Sequence, residues 1–299
     1  MTRGAAPSGA ARMKASVPNS GGTSLPRFAM PADACDCHVH IYDPRFPMAW
    51  PNLPEVTDAS VREYRMLQRR LGTSRVVVVQ PAAYGMDNRV TLDAIAWIGA
   101  GRARGVAVVH PDIGEEALDA LHAGGIRGLR FSLHDPHAAV MDAAMLEPLA
   151  SRVAERGWHV QLHLRGEQIV AMASVLERLA APLVIDHMAR LPQPAGEHHP
   201  AFRIVKRLLD GGRAWVKLAG PYLDSREGSP RYGDTWAQAR SLMAHAPERV
   251  LWGSDWPHPT EREPKPDDAV LLDLLHEWGA DEALRRRILV DNPAALYGF

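Results

Sequence analysis

Cysteine is nearly absent from this chain of 299 residues: there are two, Cys35 and Cys37. They stand one residue apart on what reads as a strand, where side chains two apart point the same way. A disulfide framework is thereby excluded, and a reducing, cytoplasmic setting is expected. A surplus of charge of one sign is also missing. The 34 Lys and Arg against 35 Asp and Glu leave a net charge of -1, so there is no global field to draw nucleic acid or an anionic membrane surface. Neither is expected as a partner, and any anion must be bound locally. Long apolar runs are missing as well, because no stretch approaches the ~18–20 residues of a membrane span. The first 30 residues are rich in Gly, Ala, Ser and Pro, with four basic residues, and lack the apolar segment of roughly 7–15 residues that a secretory signal needs. A soluble protein with a disordered extension over residues 1–30 is the expectation.

What the chain has is 46% hydrophobic and 23% charged residues, the balance of a globular protein with a sizeable core. Its length suits one α/β barrel, so residues 31–299 are read as a single domain. Short runs rich in Val, Ile and Leu recur, each followed by a segment of helical periodicity, the alternation of parallel βα units. Strands are expected at 34–40, 76–80, 106–110, 126–131, 159–164, 183–187, 214–218 and 250–255. Between them the pattern predicts helices at 60–71, 90–100, 115–123, 145–156, 167–179, 202–209 and 235–246. Gly72, Gly101, Gly124, Gly157 and Gly211 stand where helices should stop, as glycine in a left-handed C-terminal cap does. Eight strands close a (β/α)₈ TIM barrel. An open doubly wound sheet is the other topology, but no glycine-rich phosphate fingerprint follows the first strand.

In such a barrel the chemistry sits at the C-terminal ends of the strands. Strand one ends Asp36-Cys37-His38-Val39-His40, and alternation puts Asp36, His38 and His40 on one face. Strand five ends in His163, strand six in His187 and strand eight in Asp255. One such histidine is more often a hydrogen-bonded rim residue than a catalytic one; several at strand ends reverse that. Strand four offers Arg127 and Arg130, and Arg130, nearer the C-terminal end, is expected to grip a carboxylate or sulfonate through its planar fork. Lys217 is either a second anion contact or a paired structural charge, and Gln80, Tyr84 and Tyr222 are candidate pocket residues. His258 is placed within reach of the mouth and His110 behind it.

The segments Asp36-Cys37-His38-Val39-His40, Ile185-Asp186-His187-Met188 and Leu251-Trp252-Gly253-Ser254-Asp255-Trp256-Pro257-His258 together resemble the amidohydrolase superfamily. The nearest branch is the one that holds lactonases acting on pyrone dicarboxylates, sulfomuconolactones and sugar acids, and galactarolactone isomerase. The resemblance spans roughly residues 31–299. It implies hydrolysis of a lactone, with Asp255 as the base that activates water and His38, His40 and His187 polarising the ester carbonyl, an assignment that suits a carboxylate among imidazoles. The isomerase relatives carry asparagine where this chain has Asp255, which favours hydrolysis here. The pyrone branch has a second arginine after the strand-four one, where this chain reads Ser132-Leu133-His134, and another where it reads Tyr222-Leu223. A monoanionic or hydroxylated lactone is therefore expected.

His38, His40, His187 and Asp255 also suffice as ligands for one zinc ion with an open position. Strand four carries Arg130 where binuclear members place a carbamate-forming lysine, so a binuclear centre is not expected, and the resemblance leaves open whether any metal is required. The alternatives are a metal-dependent decarboxylase or a lactone isomerase of the same superfamily, and a barrel that only binds a small acid. The expected partner is the lactone substrate; self-association is left open.

Overall fold

The computed structural model describes residues 16–50, 56–135 and 139–299. Eight strands lie in sequence order in one sheet: β1 (Cys35–Val39), β2 (Arg75–Val79), β3 (Ala103–Ala107), β4 (Ile126–Ser132), β5 (His159–His163), β6 (Leu183–Ile185), β7 (Ala214–Leu218) and β8 (Val250–Trp252). Each neighbouring pair is parallel. The seam between the last strand and the first closes just past β8: Asp255 N–H donates to His38 O at 2.9 Å, and His40 N–H donates to Trp256 O at 2.9 Å. The (β/α)₈ barrel expected from the sequence is what forms.

Helices fill the intervals: α1 (Val61–Leu71), α2 (Arg89–Ile98), α3 (Glu115–Ala123), α4 (Leu146–Ala154), α5 (Gly166–Arg178), α6 (Pro200–Asp210), α7 (Trp236–His245) and α8 (Asp268–Glu277), with α9 (Glu282–Arg286) and α10 (Asn292–Tyr297) closing the chain. Ser60 caps α1 through a reciprocal exchange with Glu63, and Gly72 ends it in the left-handed region, where a Cβ would be strained. The second helix stops at Gly99, two residues before the expected Gly101. The outer faces of the strands and the inner faces of the helices share one large apolar core, which holds Val76, Val78, Leu129, Phe131 and Leu162.

The lumen differs. Register places Arg130 beside Gln161 and Gly128 beside His159, and Lys217 beside Leu251, so Arg130, His159, Gln161 and Lys217 all turn inward from β4, β5 and β7. A register shift lies between Asp36 and Val39. It corrects the expectation that Asp36 shares a face with the histidines: an irregularity in a strand resets the alternation, so Asp36 pairs with outward-facing Val76 and His38 turns inward.

The expected extension also divides. Residues 1–15 lie outside the described residues, whereas 16–30 lie on the barrel: Val17 is buried, Pro18 O accepts from Trp256 Nε1 at 2.9 Å, and Arg27 donates to Asp273 and Glu277. No described helix is long and apolar enough to cross a membrane.

Candidate active site

A cleft of about 240 Å³ opens at the C-terminal ends of the strands, and its walls include His40, Tyr42, Arg130, His163, His187 and Asp255. His38 lies directly beneath, without exposed surface. Its Nε2 is 3.3 Å from His40 Nε2 and 3.5 Å from Asp255 Oδ1, and His40 Nε2 is also 3.5 Å from that oxygen. The ring of His187 lies 4.9 Å from that of His38 and 4.7 Å from that of His163. The four expected catalytic residues thus converge on one point.

Local backbone explains the aim. Asp255 has φ of 65°, and His187, Met188, Ala189 and Arg190 have φ of 51°, 52°, 68° and 47°. Left-handed residues other than glycine cost energy and cluster where structure over-determines them. Here Ala189 N–H donates to Asp186 O at 3.0 Å, Gln238 Nε2 donates to Met188 O, and Arg190 pairs with Asp224 at 2.8 Å. The turn swings His187 over the lumen at the point where β6 ends.

Charges are arranged in depth. Below the cleft, Lys217 Nζ donates to Gln161 Oε1 at 2.7 Å, lies 3.6 Å from Asp186 Oδ1 and 3.4 Å from His38 Nδ1. Asp186 Oδ1 is 3.4 Å from His38 Nδ1. Burial pushes the His38, His163 and His187 pKa values below the ordinary histidine range, so these rings are neutral near pH 7. Burial pushes the Asp255 carboxyl up, but the surrounding His187, His40 and His38 outweigh it and hold the group well below the usual carboxylate range. The result is an ionised carboxylate among neutral imidazoles. Its other oxygen, Oδ2, accepts from Tyr222 Oη at 2.7 Å.

Several expected contacts are placed elsewhere. Gln80 spends its amide on Gly85 O, Asp87 O and the Thr91 hydroxyl, organising the loop before α2 rather than facing the cleft. Tyr84 Oη exchanges hydrogen bonds with the backbone of Asp43. Lys217 is buried below the cleft, its Nζ engaged with Gln161, Asp186 and His38. Tyr222 stands behind Asp255 and His258 behind Tyr222, at 2.9 Å from its hydroxyl. His110 is exposed beside Asp112. Arg130 does reach the cleft: Nη1 donates to Gln80 O at 3.1 Å, and its buried Nε has no partner among the described residues. The sequence reading did not pick out Tyr42, Ser132, His134 or Thr260 as lining residues. His134 stacks on His163 with ring centres 3.8 Å apart; a histidine two residues past a strand end was the available signal.

Donor atoms of His38, His187 and Asp255 lie within 4.8 Å of one another. Asp186 beside His38 Nδ1 leaves Nε2 as the ligating atom, the carboxylate–histidine pairing that orients metal ligands, and His187 Nδ1 is buried without a partner. Two imidazoles and a carboxylate fit one divalent ion of the zinc type with a position open. His40, the fourth expected ligand, is outside that group and spends Nδ1 on Val79 O at 2.8 Å.

A parallel eight-stranded barrel with histidines and an aspartate at the C-terminal ends of β1, β6 and β8 is the framework of a barrel enzyme, and the comparisons give its family. The chain belongs to the amidohydrolase family, whose model matches residues 35–299. It is 35% identical over 276 residues to a 4-sulfomuconolactone hydrolase of Rhizobium radiobacter, covering 91% of this chain and 92% of that one. It is 33% identical over 279 residues to a D-galactarolactone isomerase of Agrobacterium fabrum, covering 92% and 94%. A ligand-free crystal structure of an Agrobacterium tumefaciens protein superposes with a TM-score of 0.85 at 33% identity, covering 94% of this chain and 98% of that one.

Proposed function

We propose that this amidohydrolase opens the ring of a small lactone bearing one anionic group, by attack of water that Asp255 activates. The observation that carries the reading is the Asp255 carboxylate itself, turned so that Oδ1 faces His38 and His40 while Oδ2 is held by Tyr222. A carboxylate so placed takes a proton from water as the oxygen attacks the ester carbonyl carbon. His187, whose Nδ1 has no partner among the described residues, is the neutral imidazole free to carry its proton on the other nitrogen and donate to the oxyanion that develops. Collapse breaks the bond between the carbonyl carbon and the ring oxygen, and the proton held on Asp255 goes to that leaving oxygen, so lactone and water give a hydroxy acid. An ion held by His38, His187 and Asp255 would supply Lewis-acid polarisation of the same carbonyl.

Arg130 supports the single anion. Among the described residues only Nη1 of its guanidinium has a hydrogen-bond partner, Gln80 O, which leaves donors for a carboxylate or sulfonate, whereas nearby Arg190 is already engaged with Asp224 and His163. The two relatives differ in reaction but share a lactone in their names, and an aspartate at position 255 favours the hydrolytic branch. A panel of muconolactones, pyrones and aldonolactones, with products identified by NMR, tests the reading. The expected result is ring-opened acid from at least one compound and a loss of about 10²–10⁴ in kcat for Asp255→Asn. An isomerised lactone or released CO₂ as product would replace hydrolysis by isomerisation or decarboxylation, and absence of turnover across the panel, or an Asp255→Asn variant as active as wild type, would end the proposal.

A further inference from the structure

The segment that precedes the family match reaches the active site through a directional hydrogen-bond chain. Arg70, on α1, donates from Nη2 to Ser20 Oγ at 2.7 Å and from Nη1 to Gly21 O and Gly22 O at 3.2 and 3.0 Å. Ser20 Oγ in turn donates to Asp268 Oδ2, at the start of α8. Asp268 meets His258 Nε2 through the same Oδ2, at 3.3 Å. His258 Nδ1 lies 2.9 Å from Tyr222 Oη, which donates to Asp255 Oδ2. Asp268 and His258 have no exposed surface, so water does not substitute for these contacts.

The sense of the links at either end of the chain is fixed. A guanidinium can only donate, so Ser20 accepts from Arg70 and has its single proton left for Asp268. Tyr222 gives its single proton to Asp255 Oδ2, so the phenol oxygen is left to accept from His258 Nδ1–H. A buried chain of linked hydrogen bonds stiffens its members together. Its last member, Asp255 Oδ2, is the oxygen that decides whether Oδ1 faces the histidines.

We propose that Ser20 and Arg70 are positioning residues for Asp255, acting through Asp268, His258 and Tyr222, so that the arm spanning residues 16–22 is part of the catalytic scaffold. The proposal rests on Asp255 as the working carboxylate. With any lactone the enzyme turns over, Ser20→Ala should lower kcat roughly threefold to tenfold, with KM within about twofold because the cleft wall is untouched, and Ser20→Thr, which keeps the hydroxyl, should restore kcat. Tyr222→Phe cuts the chain at its last link, so adding Ser20→Ala to it should cost nothing more. Residues that act independently would give additive losses. Additive losses, an effect on KM alone or an unchanged kcat in a folded Ser20→Ala protein would overturn the proposal. An arm independent of turnover uses ¹⁵N-histidine NMR: Ser20→Ala and Tyr222→Phe should each shift the His258 ring nitrogens, and unshifted resonances in Ser20→Ala refute the chain even where no lactone is hydrolysed. Shifted resonances with no turnover on the panel would leave the chain standing and remove the lactonase reading instead.

Discussion

A lysine without exposed surface needs its charge met inside the protein, and Lys217 shows how closely. Gln161, Asp186 and His38 surround its Nζ, while burial pulls its pKa below the ordinary lysine value and Asp186 pushes back. Removing one partner of a buried charge pair leaves the other uncompensated, at a cost of about 3–5 kcal/mol. Lys217→Met should therefore act on folding: a lowered melting temperature, with KM close to wild type in whatever folded protein remains. A stable variant with a greatly raised KM would instead make Lys217 a substrate contact. From sequence the two roles could not be separated, because strand position gives the direction of a side chain but not its depth in the barrel. The histidines at the ends of β1, β5 and β6 were legible for the converse reason, since a strand end fixes depth as well. Gln80 and Tyr84 were misplaced because their partners, Asp87 and Asp43, lie in loops whose path no periodicity reports.

The barrel tolerates little added volume at the element ends that aim the site. Gly220, just past β7, has φ of 60°, and a Cβ there would meet His187 Nδ1 at 2.9 Å and Leu223 Cδ1 at 2.8 Å. Gly220→Ala would pay the left-handed penalty of roughly 1–2 kcal/mol and push the His187 ring, so kcat should fall at least tenfold and the melting temperature by a few degrees. Calorimetry and steady-state kinetics on one sample check both; an alanine variant as active and as stable as wild type would mean that the His187 turn is not held from this side. At this scale most elements were readable, because buried parallel strands are short apolar runs between helical periods. The third strand begins at Ala103, three residues before its expected start, since Arg104 and Gly105 interrupt the apolar run. The eighth helix went unread because Pro257, Pro259, Pro264 and Pro266 separate it from β8 and break the alternation. The strained turn at 187–190 leaves no glycine to announce it.

At the scale of the molecule, 34 basic and 35 acidic residues balance, so mutual repulsion of surface charge contributes little between about pH 5 and 8. Dependence of stability on pH then falls to buried groups. His159 is a clear case, in the lumen of the barrel away from the catalytic end, its ring over Gly128, where a Cβ would come within 2.4 Å, and edge-on to Tyr297 of α10 at 5.3 Å. Burial, followed by the Lys217 charge, lowers its pKa from 6.5 to about 3. The sign follows from proton counting: below pH 6.5 the unfolded chain takes up a proton that the folded ring refuses, so stability is lost as pH falls from 6.5 towards 3. At pH 5 this one residue removes about 2 kcal/mol relative to neutral pH. His159→Phe keeps an aromatic ring and cannot titrate, so its unfolding free energy should decline less between pH 7.5 and 5 than that of wild type, by about that amount. Denaturant melts at the two pH values measure the difference directly. Parallel declines in the two proteins would mean that the folded barrel admits the proton. Because the opposite end of the barrel holds the catalytic constellation, kcat of this variant near neutral pH should match wild type.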